Sequence, residues 1–225
     1  MSVNYIRTLG YVLKRTNYGE ADRILNILTP SGKVSAIAKG VRREKSKLAG
    51  GIEMFSLIDF NIHQGRGGLG VITSARMIEY YGEIIKDYHR MELAGGFLKK
   101  ASKASEASDS EEYFDVVGKS LKALNSGVNS KLVEAWFLLN LNRVSGEEIN
   151  LYRDSNDEKL EIDGVYAWDF QDSCFLKSNN GEYGENEIKM LRLMLASDLD
   201  IVRRVRVGED VLSRILHLAQ GLNRI

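Results

Sequence analysis

The first eighty residues carry a hydrophobic period of two, and near residue 83 the period becomes that of a helix. Ile58, Phe60 and Ile62 alternate with Leu57, Asp59, Asn61 and His63 across Phe55 to His63. Successive side chains of a strand point to opposite faces, so this stretch reads as a half-buried strand with Phe60 in the core. Four more β-compatible runs surround it. Tyr5 to Arg15 is followed by the turn Asn17-Tyr18-Gly19-Glu20, and Arg23 to Thr29 is joined to Lys33 to Lys39 by Pro30-Ser31-Gly32. Val71 to Met77 returns after the glycine-rich hairpin loop Gly65 to Gly70. Cys174 is the single cysteine, so no disulfide forms within the chain. Five short strands without a disulfide suggest a closed barrel, and the five-stranded oligonucleotide-binding (OB) type is the expectation.

From Glu83 onward Ile84, Tyr88, Met91, Leu93 and Leu98 can line one helical face, although Gly95-Gly96 weakens its middle. Asp109, three positions before Glu112, suits an N-cap for a helix over Tyr113 to Leu124, which Asn125-Ser126-Gly127 ends. Ser130 caps a third helix, largely buried through Leu132, Val133, Trp136, Phe137, Leu139 and Leu141, and Gly146 terminates it. Residues 147–183 interrupt the helices. Tyr166, Trp168, Phe170 and Phe175, broken by Asp163-Gly164 and Asn179-Asn180-Gly181, read as a β-hairpin-like excursion or an ordered loop. Helices over about Glu185 to Ala196 and Gly208 to Leu222 close the chain. The expected fold class is α+β: a barrel domain over 1–80, then a mainly helical domain over 81–225 with a small non-helical insertion at about 147–183.

Charge supplies the functional signal. The stretch Lys39 to Gly51 holds Lys39, Arg42, Arg43, Lys45 and Lys47 against the single anion Glu44, and Gly40, Gly50 and Gly51 break any helix within it. Such a loop repels itself unless an anion binds, and a phosphate backbone is the natural partner. The formal net charge of zero conceals an asymmetry. Residues 1–80 carry 12 Lys and Arg against 6 Asp and Glu, whereas residues 81–225 carry 19 against 25. A basic first domain facing a polyanion and a more acidic second domain facing other partners is the implied division. The candidate nucleic-acid set is Lys14, Arg15, Arg23, Lys39, Arg42, Arg43, Lys45, Lys47 and Arg66, with Lys33 and Arg76 as further basic residues. Among Tyr11, Tyr18, Phe55, Phe60, Tyr80 and Tyr81, the turn residue Tyr18 is the best candidate for stacking a base.

Other chemistries find little support. Gly65, Gly67 and Gly70 match a dinucleotide fingerprint, but that motif requires a helix directly afterward and the β-branched run Val71-Ile72-Thr73 follows instead. His63, His89 and His217 fall on separate elements with no nucleophile or metal-ligand spacing. Asp154, Asp157, Glu158, Glu161 and Asp163 form an acidic run without the ligand and glycine spacing of a calcium loop, and read as a solvated face. The N-terminus lacks an apolar signal region, and no run approaches the roughly 18–20 residues that span a bilayer, so the expected compartment is the cytoplasm, with no membrane role.

The residues of the first domain resemble those of the bacterial recombination mediator family RecO. The similarity lies in Tyr11-Val-Leu-Lys-Arg15, Tyr18-Gly-Glu20 with Asp22, Leu28-Thr29 with Gly32, Lys39-Gly40, Arg42-Arg43, Lys45-Ser46, Leu48-Ala49-Gly50, Phe55-Ser56-Leu57 and Gly65-Arg66-Gly67. It is dense over about 70 residues, and beyond residue 83 only the layout agrees. The resemblance implies DNA binding, annealing of complementary strands and loading of recombinase onto coated single strands. It also implies RecR and the C-terminal tail of the single-stranded-DNA-binding protein as partners, and association with the nucleoid. Many relatives carry a four-thiolate zinc site in the insertion. This chain has only Cys174 there, so no metal or other cofactor is expected. Packing by Trp168, Phe170 and Phe175 is expected to hold the insertion instead. An acidic tail with an apolar end needs a hydrophobic groove rimmed by cations, for which Lys131, Trp136 and Arg143, or Arg203, Arg204 and Arg206, are the candidates. The alternatives are a generic single-stranded DNA or RNA binder without annealing activity and a phosphate-handling enzyme using the acidic run.

Overall fold

Gly10 has space for no side chain: a Cβ there would meet Ile27 at 2.3 Å and Phe60 at 2.9 Å. That close approach lies at the centre of a closed five-stranded barrel in a computed structural model, which describes residues 4–64, 69–106, 111–161 and 163–223. Its strands are β1 (Asn4–Tyr18), β2 (Asp22–Thr29), β3 (Gly32–Ala38), β4 (Ser56–Gln64) and β5 (Gly70–Tyr80), ordered β1-β2-β3-β5-β4. β1 closes the ring by pairing antiparallel with both β2 and β4, and β3 meets β5 in parallel. This is the OB-type arrangement expected from the sequence. The expected alternation of β4 holds: Ile58, Phe60 and Ile62 are buried, and the residues between them are half-buried. With Val12, Leu25, Ile27, Ala36 and Ile72 they form one apolar core.

The chain resolves into two compact units, residues 1–126 and 127–225. The first two helices, α1 (Tyr88–Ala104) and α2 (Glu111–Asn125), therefore belong to the barrel's unit. Asp87 caps α1 by accepting the Arg90 N–H at 3.1 Å. The buried face is Ala94, Phe97, Leu98 and Ala101. Tyr88 and Met91, expected on that face, are exposed in the first turn of the helix, ahead of the buried stretch that begins at Ala94. The helix runs through Gly95-Gly96. α2 packs on the barrel, with the Tyr11 ring tilted against Phe114 at 4.7 Å and its hydroxyl filling the space above Gly118. Asp109, the expected cap of α2, falls outside the described residues.

In the second unit α3 (Ser130–Val144) is buried almost all round. Its N-cap is Asn129 rather than Ser130: the Asn129 side-chain oxygen accepts N–H bonds from Lys131 and Leu132, worth about 1 kcal/mol. The insertion is an antiparallel hairpin of β6 (Tyr166–Asp169) and β7 (Cys174–Lys177). Trp168 packs edge-on against Phe175 at 4.8 Å, and Phe175 against Tyr183 at 5.7 Å. Phe170 is half exposed, and its ring covers Gly221 and approaches His217. α4 (Glu185–Ala196), a short α5 (Leu199–Val202) that the sequence pattern did not suggest, and α6 (Glu209–Leu222) complete the unit.

Candidate nucleic-acid interface

The loop from Lys39 to Gly51 meets the β1–β2 turn, and local chemistry explains why. Gly40 and Gly19 both adopt positive φ, at 63° and 55°, a region that favours glycine. The Asp22 carboxylate then accepts the Gly40 N–H at 2.7 Å. The Arg42 N–H donates to the Ala21 carbonyl at 2.8 Å, and its guanidinium reaches the Gly19 carbonyl at 3.3 Å. Two apolar anchors hold the loop down: Val41 and Ile52, at 2% and 0% exposure, are part of the barrel core, with Leu48, Ala49 and Met54 packed against it. Gly51 lies so close to β5 that a Cβ would sit 2.4 Å from the Ala75 carbonyl oxygen. The loop is thus a series of hydrogen-bonded turns and one 3₁₀ turn at Ala49–Gly51, fixed at both ends.

Lys39, just before those anchors, and Arg42, Arg43, Lys45 and Lys47, between them, are all exposed. Among the described residues no ion pair or side-chain hydrogen bond engages Lys14, Lys39, Arg43, Lys45 or Lys47. Tyr18 stands beside them, 57% exposed, as the last residue of β1 rather than in the turn itself, and is paired across to Asp22. Arg23, opposite Asn17 and Ala38, donates to the Asn17 side chain at 3.2 Å and is half-buried. The arrangement brings Tyr18, Arg23, Lys39, Arg42 and Arg43 to one end of the barrel. Unpaired cations on a fixed backbone meet phosphates without first breaking internal bonds.

Three expected basic residues are engaged in other ways. Arg15 donates to Glu53 at 2.7 Å, tying β1 to the segment after the loop. Lys33 binds the Ser102 carbonyl and the Glu106 carboxylate, and its hydrogen bond lowers the pKa of Glu106. Arg76 faces Asp59 at 3.8 Å. Arg66 lies outside the described residues. Of the aromatic candidates, Tyr11, Phe55, Phe60 and Tyr81 are buried, which leaves Tyr18 and Tyr80 open to solvent. Burial also raises the Tyr81 hydroxyl pKa, with Tyr11 and Glu79 adding to the effect.

The second unit separates its own candidates. Trp136 is 3% exposed, and its indole N–H donates to the Ser197 carbonyl at 3.1 Å. Phe137 and Leu139 are equally buried. The partner-facing role expected for Trp136 is therefore corrected: it is a core residue whose polar atom is already satisfied. Lys131 pairs with Glu209 at 3.0 Å, and Arg143 donates to Asn140. Arg203 pairs with Asp200 at 2.9 Å, while Arg204 and Arg206 are exposed. Arg206 borders a groove of about 350 Å³ lined by Lys189, Met190, Leu193, Val205 and Val211. In the acidic run, Asp154 is buried and accepts the Asn156 and Glu158 N–H groups, which gives it a structural role. Among the described residues no group of three His, Cys, Asp or Glu is placed to hold a metal.

Comparison with known proteins places both halves of the chain in order. The family model "Recombination protein O N terminal" matches residues 1–81, and "Recombination protein O C terminal" matches residues 96–221. A DNA repair protein RecO of Alkaliphilus metalliredigens is 33% identical over 237 residues, covering 98% of this chain and 90% of that protein. One of Dehalococcoides mccartyi is 26% identical over 93% of this chain and 85% of its own length. One of Rubrobacter xylanophilus is 36% identical over 62% of this chain, and the match spans 57% of that protein. With an OB-type barrel under the first match and mainly helical structure under the second, the chain belongs to the Recombination protein O family.

Proposed function

We propose that the protein is a DNA-binding mediator of recombinational repair that anneals complementary strands and assists recombinase loading onto coated single-stranded DNA. It works by binding rather than by catalysis, in the cytoplasm and at the nucleoid. The observation that supports this most is the row of unpaired cations at Lys39, Arg43, Lys45 and Lys47, held on a loop that is anchored into the barrel. Two DNA strands repel each other through their phosphates, and neutralisation at such a surface lets them approach. Single- and double-stranded DNA are both ligands, because fixed cations contact backbone rather than bases. The name "DNA repair protein RecO" carried by the relatives supports the same reading. No described helix is long and apolar enough to cross a membrane. RecR and the single-stranded-DNA-binding protein are the proposed protein partners.

The test is annealing of complementary strands coated with single-stranded-DNA-binding protein. A mediator raises the pairing rate, whereas a plain strand binder coats the strands and slows pairing. No acceleration, or strand cleavage with magnesium or manganese, removes this reading.

For the acidic tail of the coating protein, the groove between Lys189 and Arg206 is the better receptor, because the aromatic bulk of α3 is buried. Its apolar floor of Met190, Leu193 and Val211 suits an apolar chain end, and Arg206 suits the acidic residues before that end, while Lys189 is paired with Glu185 at 2.5 Å. Reversal of Arg206 to Glu is expected to weaken the tail peptide on the order of tenfold, the scale of one charged hydrogen bond. Affinity for naked DNA should stay within about twofold, because the cations at the barrel loop are untouched. Unchanged peptide affinity in the folded variant rules out the groove.

A further inference from the structure

The outward face of β1, β4 and β5 carries a second constellation suited to a nucleic-acid strand, built from residues other than those of the basic loop. Tyr5 pairs across with His63, Arg7 with Asn61, and Leu9 with Asp59. On the other side of β4, Asn61 pairs with Ser74, and Asp59 with Arg76. Residues directly opposite in antiparallel strands project from the same face. The Tyr5 ring is 64% exposed and sits 5.2 Å from the His63 ring. Arg7 donates through Nε at 3.0 Å and through Nη2 to the two oxygens of Asp59. Arg76 approaches the same carboxylate at 3.8 Å, and Asn61 donates to Ser74 at 2.7 Å. Two guanidinium groups thus share one carboxylate and leave a net positive charge. Both arginine side chains remain largely exposed, at 69% and 74%. The paired Arg7 keeps its Nη1 donors in a fixed plane. Tyr5 stands near the start of β1, thirteen positions before Tyr18, or roughly 40 Å of extended strand.

We propose that this face is a second single-strand site, with a base stacked on Tyr5 beside His63 and the adjoining phosphates on Arg7 and Arg76. The proposal rests on the DNA-binding reading and extends it: one chain would hold a strand at the loop end and another on this face. The ligand is an unpaired strand because stacking needs a free base face, which a duplex does not offer.

The experiment compares the full chain with its Tyr5→Ala and Tyr5→Phe variants, against a short mixed-sequence single strand and a duplex of the same length. All are tested in the Arg42→Ala, Arg43→Ala background, which weakens the loop end. Tyr5→Ala is expected to lower single-strand affinity on the order of tenfold while leaving duplex affinity and the thermal melt unchanged. Tyr5→Phe, which keeps the ring, should restore binding. Unchanged single-strand affinity in Tyr5→Ala, or an equal loss for the duplex, overturns this site while leaving the DNA-binding reading in place. Absence of binding to either form by the unaltered chain overturns both.

Discussion

Raising monovalent salt from about 50 to 200 mM should weaken single-stranded DNA binding roughly a hundredfold. The expectation follows from counterion release: each phosphate neutralised on a single strand contributes a slope of about −0.7 to log affinity against log salt. Five exposed cations, Lys39, Arg42, Arg43, Lys45 and Lys47, lie on one loop, and Lys14 is exposed on β1. If about five phosphates are engaged, the slope is about −3 to −4. Arg42→Ala with Arg43→Ala should make it shallower by up to about 1.4. The fold should survive, because exposed loop changes usually cost under about 0.5 kcal/mol. Arg42 is the more sensitive of the two: its N–H bond to Ala21 persists in the alanine variant, and only the guanidinium bond to Gly19 is lost. Titrations at several salt concentrations, with a melt of each variant, check this. A slope near zero removes the electrostatic argument, and an unchanged slope in the double variant moves the contact elsewhere.

Anchoring of the loop bears on that number. A floppy basic loop loses conformational entropy when it binds, on the order of 1 kcal/mol for each residue ordered. Here Val41 and Ile52 are inserted into the barrel core, and the backbone between them is already bonded in turns. Most of that ordering cost falls on folding instead, so the cations are presented in advance of DNA. The Gly51 contact with Ala75 makes the geometry depend on a missing side chain, because any Cβ would press on the β5 backbone.

The barrel was legible because its evidence is local. Alternation in β4 and the turn residues between β2 and β3 follow from the strand period and from backbone preference, and neither needs a distant partner. The bounds of α4, Glu185 to Ala196, could be taken from periodicity for the same reason. What escaped depends on contacts far apart in the chain. Nothing near Trp136 announces that its N–H will meet Ser197, 61 residues away, so bulk beside cations looked like a receptor. Tyr88 and Met91 are correctly spaced with the buried Leu98, yet they stay exposed in the first turn of α1, where no described residue covers them as Ala94, Phe97 and Ala101 are covered. Val41 and Ile52 did leave a signal: each is a lone aliphatic residue at the edge of a charged, glycine-rich run, where an anchor would be expected. Arg15 and Lys33 counted as free charge in the sequence, but Glu53 and Glu106 reach them only through the fold.

Loss of the Glu187 carboxylate should be the most damaging single polar change in the second unit. Its side chain is 5% exposed, and it accepts bonds from the Arg214 guanidinium, 3.0 Å from Nε, and from the Gly184 N–H at 3.0 Å. The latter bond closes the first turn of α4, so one carboxylate both caps that helix and ties it to α6. Burial alone would raise the Glu187 pKa, but the bonds from Arg214 and Gly184 outweigh it and hold the value below the ordinary one near 4.5. A folded-state pKa below the unfolded one means that folding favours the ionised form. The stabilisation is therefore complete above the ordinary value and is lost as pH falls through the lower, folded one. Glu187→Ala leaves Arg214 without its anion and Gly184 without an acceptor. Because the Arg214 side chain is 37% exposed and can rehydrate, the expected cost is about 2–3 kcal/mol, below that of breaking a fully buried pair. Glu187→Gln should cost less, since its amide oxygen can still accept from Gly184, but it removes the titrating group. Chemical unfolding of the three proteins between about pH 3 and 7 tests both statements. The unaltered chain should lose stability on acidification, and Glu187→Gln should lose less over the same range. Parallel acid profiles for the two would show that this carboxylate does not couple folding of the second unit to pH.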